Sequence, residues 1–324
     1  MTAVAGDALP ELVLPAAPPI IRPAVRPSRR RRGPAVVLLL LGLVLVIGTL
    51  AGGFFSKAAS GRQLLDAFRP HLQTDALARY NTDLDTLRRA STAVDAVYAQ
   101  QHVQQGQFPG IDAYRQQSAA IDRRASDLLT RIQAEQADFR KVDAVGGFER
   151  MPFLVVLAGL ACIYGGCVLL AGTNSRARVV APLVALASLA LVAYPFVSEL
   201  PGGSRAGERM VASLSSVMTA QEVSQLQRDF VVLVTAEGQL STSFRSVPDQ
   251  GPGIVALERS WPTISSDLAT LVGTINDNIT NYRALQDLNR LGGLGNLPWA
   301  LVGIGAVGAA LAMAARPQRR KEDA

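Results

Sequence analysis

The chain has 324 residues, of which 49% are hydrophobic, and it carries a formal net charge of +6 at pH 7. Its length predicts about two domains, but the hydrophobic residues are concentrated in a few long runs, which argues against a soluble globular protein. The positive charge flanks those runs and forms no continuous basic surface, so nucleic acid is excluded as a partner.

Residues 1–34 contain seven prolines and the run Arg29–Arg32, with no helical periodicity. This composition predicts a disordered basic tail. Four runs without a charged residue or histidine then recur along the chain, at 36–55, 152–172, 179–198 and 298–315. Each is long enough to cross the roughly 30 Å hydrocarbon layer as a helix. The sequence therefore predicts an all-α membrane protein with four transmembrane helices. In the first run, Gly48 and Gly52 form a small-xxx-small pair, which predicts close helix packing there.

Basic residues near the ends of the runs predict their orientation. They precede the first run, occur between the second and third (Arg176 and Arg178), and follow the fourth within the basic tail 316–324. Both termini and the loop 173–178 are therefore expected in the cytoplasm, and segments 57–151 and 199–297 outside it. Three lysines beside 29 arginines are typical of a high-GC bacterium, so we expect a multi-pass protein of the bacterial plasma membrane.

Two halves of the chain share features at nearly constant spacing. Gly146-Gly147 and Gly292-Gly293 are 146 residues apart, and the same spacing relates Asp83 to Asp229 and Leu84 to Phe230. Pro109-Gly110 and Pro252-Gly253 are 143 residues apart. These matches predict a tandem internal duplication, with repeat 1 at 35–172 and repeat 2 at 179–315.

Within each repeat, apolar residues recur at alternating spacings of three and four, which indicates a helix with a heptad seam. The seam residues are Leu77, Tyr80, Leu84, Leu87, Ser91, Val94 and Tyr98 in repeat 1, and Val223, Leu226, Phe230, Leu233, Glu237, Leu240 and Phe244 in repeat 2. The Pro-Gly pairs turn each chain back, so 57–151 and 199–297 are predicted as extracytoplasmic helical hairpins that pair as a four-helix bundle.

Finer expectations follow from single residues of these hairpins. Thr74 is predicted to cap the first hairpin helix, and Pro262 predicts that the second return helix restarts near Ser260. Asp83 and Asp229 fall beside the seam, so their replacement by Asn is expected to have little effect unless these residues cap a helix or bind a partner.

No constellation of catalytic or metal-binding residues stands out. Cys162 and Cys167 lie in the second span, and His71 and His102 are far apart in sequence. The glycine pattern at 303–308 lies inside an apolar run, which is the wrong context for a dinucleotide site. We therefore predict no catalytic residue, metal or cofactor, and no enzyme activity.

The glycines and prolines between each hairpin and the following span are the candidate functional residues. Glycine offers little resistance to bending, and proline suits the first turn of a helix. Gly146, Gly147, Pro152, Gly292, Gly293 and Pro298 are accordingly predicted as structural hinges.

The layout resembles the external domain of bacterial chemoreceptors, where helical hairpins flank membrane spans and pair as a bundle. The resemblance is architectural and implies no binding residues, and no cytoplasmic signalling helix follows the spans. We expect an accessory or scaffold protein whose external bundle binds a partner protein or an envelope component. A ligand sensor with a separate cytoplasmic partner and a passive lipid or small-molecule conduit are the alternatives. Membrane lipids are expected partners, and homo-oligomers remain open.

Overall fold

The computed structural model describes residues 29–145, 148–171, 174–290 and 293–314. All regular structure in these ranges is helical. The α-helices are α1 Arg29–Ala51, α2 Phe54–Phe68, α3 Thr74–Gln100, α4 Pro109–Ala144, α5 Met151–Leu170, α6 Asn174–Val197, α7 Leu200–Ser213, α8 Ala220–Leu240, α9 Gly251–Asp277, α10 Ile279–Arg290 and α11 Leu297–Ala314.

Among the described residues, four segments are long and apolar enough to cross a membrane, which agrees with the predicted multi-pass membrane protein. They are Arg32–Ala51, Met151–Leu170, Val179–Val197 and Leu294–Ala314. The first helix ends at Ala51, four residues before the predicted end of its run, because Gly53 adopts a left-handed conformation with φ of 63°. That turn separates the span from α2.

The spans pack as α1 against α5 and α6 against α11, with α5 also contacting α6. Glycines allow the first pair to approach closely: a side chain on Gly166 would lie 2.8 Å from the carbonyl oxygen of Ala35. The prediction of close helix packing at Gly48 and Gly52 is wrong. Gly48 is exposed with open space around it, and Gly52 faces the backbone of its own helix. The direction in which a glycine faces depends on helix rotation, which a uniformly apolar sequence does not reveal.

Outside the candidate spans, α3, α4, α8 and α9 form a four-helix bundle. Its neighbouring pairs are α3–α4, α4–α8, α8–α9 and α9–α3. Most predicted seam residues are buried, including Val94 and Leu240. A distal core surrounds Phe244, and a second core continues toward the spans. Between the bundle and the spans, α2 packs on α10 and α7 packs on α4.

Two local predictions are wrong. Thr74 is the first residue of α3, and its side chain does not cap that helix. A threonine does cap α8, where Thr219 Oγ1 accepts a hydrogen bond from the Glu222 amide at 3.1 Å. Pro262 lies inside α9, which is continuous across it. The break comes later, between α9 and α10, where the Asn278 side chain donates to the carbonyl of Thr274.

Candidate functional site

The predicted hinge residues are only partly within the described chain. Gly146, Gly147 and Gly292 lie outside it. Pro152 and Pro298 are both buried, each at the second position of its helix, α5 and α11. This is the position at which proline costs no helical hydrogen bond.

Gly293 has a conformational reason to be glycine. Its φ is 75°, and its amide donates to the carbonyl of Asn289 at 2.7 Å, which closes the end of α10. The Asn289 side chain in turn accepts from the Leu294 amide at 3.0 Å. The ψ of Gly293, 128°, lies outside the left-handed helical region, in a backbone conformation that is essentially accessible to glycine alone. The backbone therefore requires glycine here, and the hinge role of Gly293 stays a prediction.

A partly open cavity of about 310 Å³ lies within the four-helix bundle, between α3, α4, α8 and α9. This volume falls at the lower end of the range for small-molecule sites. Most of its wall is apolar and comes from all four helices; it includes Leu84, Leu87, Ile121, Leu129, Leu233 and Leu271. Hydroxyl groups of Ser91, Tyr114 and Ser118 also reach the wall. An apolar chamber with a few polar groups is suited to binding.

Two carboxylates at equivalent positions of the proposed repeats line this cavity, and their surroundings differ. Asp229 of α8 is buried, with 5% of its surface exposed. Both of its oxygens accept hydrogen bonds from Arg124 of α4, from Nε and Nη2 at 2.7 Å each. Gln225 adds a third hydrogen bond at 3.0 Å. The charge of Asp229 is therefore fully compensated within the protein.

Asp83 of α3 has no such compensation. Its Oδ2 is buried and has no hydrogen-bond partner within the described ranges. The nearby arginine, Arg79, instead directs its Nε to Asp267 of α9, at 3.4 Å. Burial raises the pKa of Asp83, and the neighbouring charge of Asp267 raises it further, against a smaller opposing effect of Arg79. The folded protein therefore holds this carboxylate at a cost.

The sequence placed both residues off the buried seam, which is wrong for Asp229, because Asp229 is buried while Asp83 is half-buried. One sequence feature could have revealed the difference. At a spacing of 143 residues, Arg124 corresponds to Asp267. The two return helices thus carry opposite charges at the position that faces each aspartate.

An ion pair borders the cavity between α3 and α4. Arg88 donates through Nε to Asp122 at 2.6 Å and through Nη2 to Ser126 at 2.7 Å. The side chain of Arg88 is 46% exposed and that of Asp122 is 36% exposed. Because this pair faces solvent, it contributes little to stability and can separate without great cost.

A buried histidine contacts Tyr80, which lines the cavity. His71 lies 2.6 Å from the Tyr80 hydroxyl through Nδ1 and 2.9 Å from the Thr274 hydroxyl through Nε2. Burial lowers the pKa of His71, which keeps the ring neutral at neutral pH, and burial raises the pKa of Tyr80 to about 12. The equivalent of His71 in the second half is Val217, which is also buried. The histidine therefore fits a packing role with satisfied hydrogen bonds.

Smaller cavities of about 30 and 80 Å³ lie between the main cavity and the spans. The one nearer the bundle is lined by Ile132 and Phe139, and the one nearer the spans by Leu200 and Leu297. Both share Tyr282 in their walls. Their lining is almost entirely apolar. Two separate apolar spaces therefore lie between the bundle core and the helices next to the spans.

A wider cleft of about 400 Å³ lies where the end of α4 meets the start of α7. Arg140, Lys141 and Glu199 are among its lining residues. Arg140 and Lys141 are exposed, so this cleft is open to solvent.

In the part of the chain that the structure describes, no three His, Cys, Asp or Glu side chains form a group that could hold a metal ion. Compared with known proteins, the chain matches no family model and no curated sequence. The site is therefore interpreted from its geometry alone.

Proposed function

We propose that this chain is a non-enzymatic protein of the bacterial plasma membrane whose bundle lies outside the cell and binds a small amphiphilic envelope component in its central cavity. It would act as an accessory or scaffold of a membrane complex. The observation that carries this proposal is the cavity of about 310 Å³ with apolar walls from all four helices. Protein cores are normally close-packed, so a chamber of this size favours an occupant.

The proposed orientation is supported by charge. Arg176 and Arg178 lie between the second and third spans, and basic residues also precede the first and follow the fourth. Short basic segments remain on the cytoplasmic side of a membrane. The bundle then faces the opposite side, where it meets envelope components.

A tandem duplication is supported by helix breaks at equivalent positions of the two halves and by the packing of helices from one half against helices of the other. The left-handed residues Gly53 and Glu199 each separate a span from the next helix, and they are 146 residues apart. Helix α3 packs on α9, and the equivalent α8 packs on α4. An ancestral two-span protein that dimerised would give this pattern. Its shared interior is the cavity, which both halves line.

The apolar spaces between the bundle and the spans favour a ligand that comes from the lipid phase. An amphiphile leaving the membrane would keep its chain among Phe139, Tyr282 and Leu200 on its way to the cavity. This route is closest to the conduit alternative, although the spaces are separate in the structure.

A photoaffinity experiment tests the binding proposal. Full-length protein in lipid nanodiscs would be exposed to octanol carrying a diazirine, followed by peptide mass spectrometry to locate the label. We expect labelled positions on the cavity-facing sides of α3, α4, α8 and α9, in addition to lipid-facing positions of the spans. Ala125→Phe should remove the bundle label, because Ala125 lines the cavity and a phenyl ring would fill it.

Ala134→Phe is the matched control, since Ala134 lies on the same helix and is exposed. It should leave the labelling pattern unchanged. Label confined to the spans in the wild-type protein would show that the cavity takes no amphiphile and would refute the proposal.

A protein partner is the second candidate, and one surface feature favours it. Val231 and Val234 of α8 and Val255 of α9 are 61%, 42% and 46% exposed, away from the candidate spans. Apolar side chains at such exposure can form part of a binding surface. Co-purification from native membranes in mild detergent, compared with a Val231→Ser and Val234→Ser double variant, would test it: loss of a bound protein supports a docking role for this face.

A further inference from the structure

We propose that the bundle cavity selects a cationic amphiphile, such as a long-chain amine, whose positive group is held by Asp83 and whose chain lies among the leucines of the wall. This inference rests on the proposed ligand-binding function and adds the chemical class of the ligand.

The charged groups that line the cavity are paired, with one exception. Asp229 is bound by Arg124, Asp122 by Arg88 at 2.6 Å, and Asp95 by Arg115 at 2.6 Å. Each of these carboxylates therefore has an arginine partner within the protein. Asp83 retains a buried oxygen without a partner in the described chain. The cavity thus presents one uncompensated negative group on a wall that is largely apolar.

A neighbouring carboxylate adds to the negative charge on the side of Asp83. Within the described ranges Asp267 is paired with Arg79 alone, whose contact is long at 3.4 Å and whose side chain is 54% exposed. Water screens such a pair, so it offsets little of the field at Asp83. An anionic ligand would be repelled at this point, and a neutral hydroxyl would donate a weaker hydrogen bond to the buried oxygen than an ammonium group would.

The second half of the chain shows how the protein avoids this arrangement elsewhere. The first half has Arg124 at the equivalent of Asp267, and Arg124 binds Asp229 of the second half through two hydrogen bonds. One aspartate is thus neutralised by the protein, and the other lacks a positive partner in the described structure. A ligand ammonium would take the place at Asp83 that the Arg124 guanidinium takes at Asp229.

The size and walls of the cavity favour an organic cation over a metal ion. A water molecule occupies about 30 Å³ in the liquid, so the cavity has room for about ten water-sized groups. Leu84, Leu129 and Leu271 give no oxygen ligand to an inorganic cation. An alkyl chain of medium length fits both the volume and the lining.

Three photoaffinity probes with the same octyl chain and diazirine would test the charge preference: an amine, an alcohol and a carboxylate. The full chain in zwitterionic nanodiscs would be labelled at neutral pH, with empty nanodiscs used to correct for partition into lipid. We expect the amine to label the bundle about tenfold more efficiently than the alcohol, since a hydrogen bond from an ammonium to a carboxylate is stronger than one from a neutral hydroxyl. The carboxylate should label it least.

Asp83→Asn should reduce amine labelling about tenfold and leave alcohol labelling unchanged or higher. Asp127→Asn, which changes an exposed carboxylate on α4, is the matched control and should have no effect. Equal labelling by amine and alcohol, or amine labelling that survives Asp83→Asn, would overturn the cationic preference while retaining the cavity as a site. No bundle labelling by any probe would refute the proposed function as well.

Discussion

Asp83 and Asp229 occupy equivalent positions, yet replacing each with Asn should change stability in opposite directions. Asp229→Asn leaves Arg124 without its carboxylate. Removal of one partner from a buried ion pair costs about 3–5 kcal/mol. The side chain of Arg124 is 30% exposed, so water recovers part of that loss, and we expect a destabilisation of about 2 kcal/mol.

Asp83→Asn should instead raise the unfolding temperature. The substitution removes a charge that burial and Asp267 both disfavour, and an amide of the same shape can remain in place. Thermal unfolding of the full chain in detergent, without added amphiphile, measures both effects. Asp229→Asn should lower the midpoint by about 4–8 °C for a bundle of this size, and Asp83→Asn should move it upward.

The pH dependence gives a second measurement of the same effect. Because the pKa of Asp83 is raised in the folded state, its protonated form favours folding, and this contribution is lost as pH rises through the folded-state pKa. The advantage of Asp83→Asn over the wild type should therefore be largest at neutral pH and disappear in acid. Nearby groups that also act on this carboxylate are Asp267 and Arg79. A fall in midpoint for both variants, by similar amounts at neutral pH, would refute the assignment of unequal environments.

Two further predictions concern the ends of the bundle. Gly293→Ala should destabilise the protein by about 1–2 kcal/mol, because an L-residue is strained at φ of 75°. The control is Gly303→Ala, in open space on α11, which should be neutral or slightly stabilising in the same unfolding assay. Cysteine at Gln117, an exposed position of α4, should react with an impermeant thiol reagent in cells whose outer barrier has been permeabilised, and cysteine at Ser175 should be protected. Labelling at Ser175 alone would invert the proposed topology.

The spans and the bundle could be predicted from sequence because hydrophobicity determines both. Long uncharged runs indicate membrane helices, and the alternating spacing of residues such as Leu77 and Val94 indicates which side of a helix is buried. The same pattern failed at the turn of α8 that contains Asp229. It assigned Phe230 to the core, but Phe230 is partly exposed while Asp229 is buried.

The position of Asp229 depends on a specific partner, Arg124, and not on hydrophobicity. Such a pair is far apart in sequence and leaves no periodic pattern. The cavity itself was not predicted, because spacing does not report how well facing side chains fill a core. One local indication existed: Ala125 corresponds to Leu268 in the second half, so the first half presents a smaller side chain to the same chamber.

The pairing of α3 with α9 has a consequence for biosynthesis. About 150 residues separate the end of α3 from the start of α9, and at ribosomal rates of 5–20 residues per second this is a delay on the order of ten seconds. During that time the first half lacks the surface that will cover Leu84 and Leu87. The partly folded nascent protein is therefore exposed to quality-control proteases during this interval. Premature termination before Gly251 should yield rapidly degraded fragments in a pulse-chase experiment.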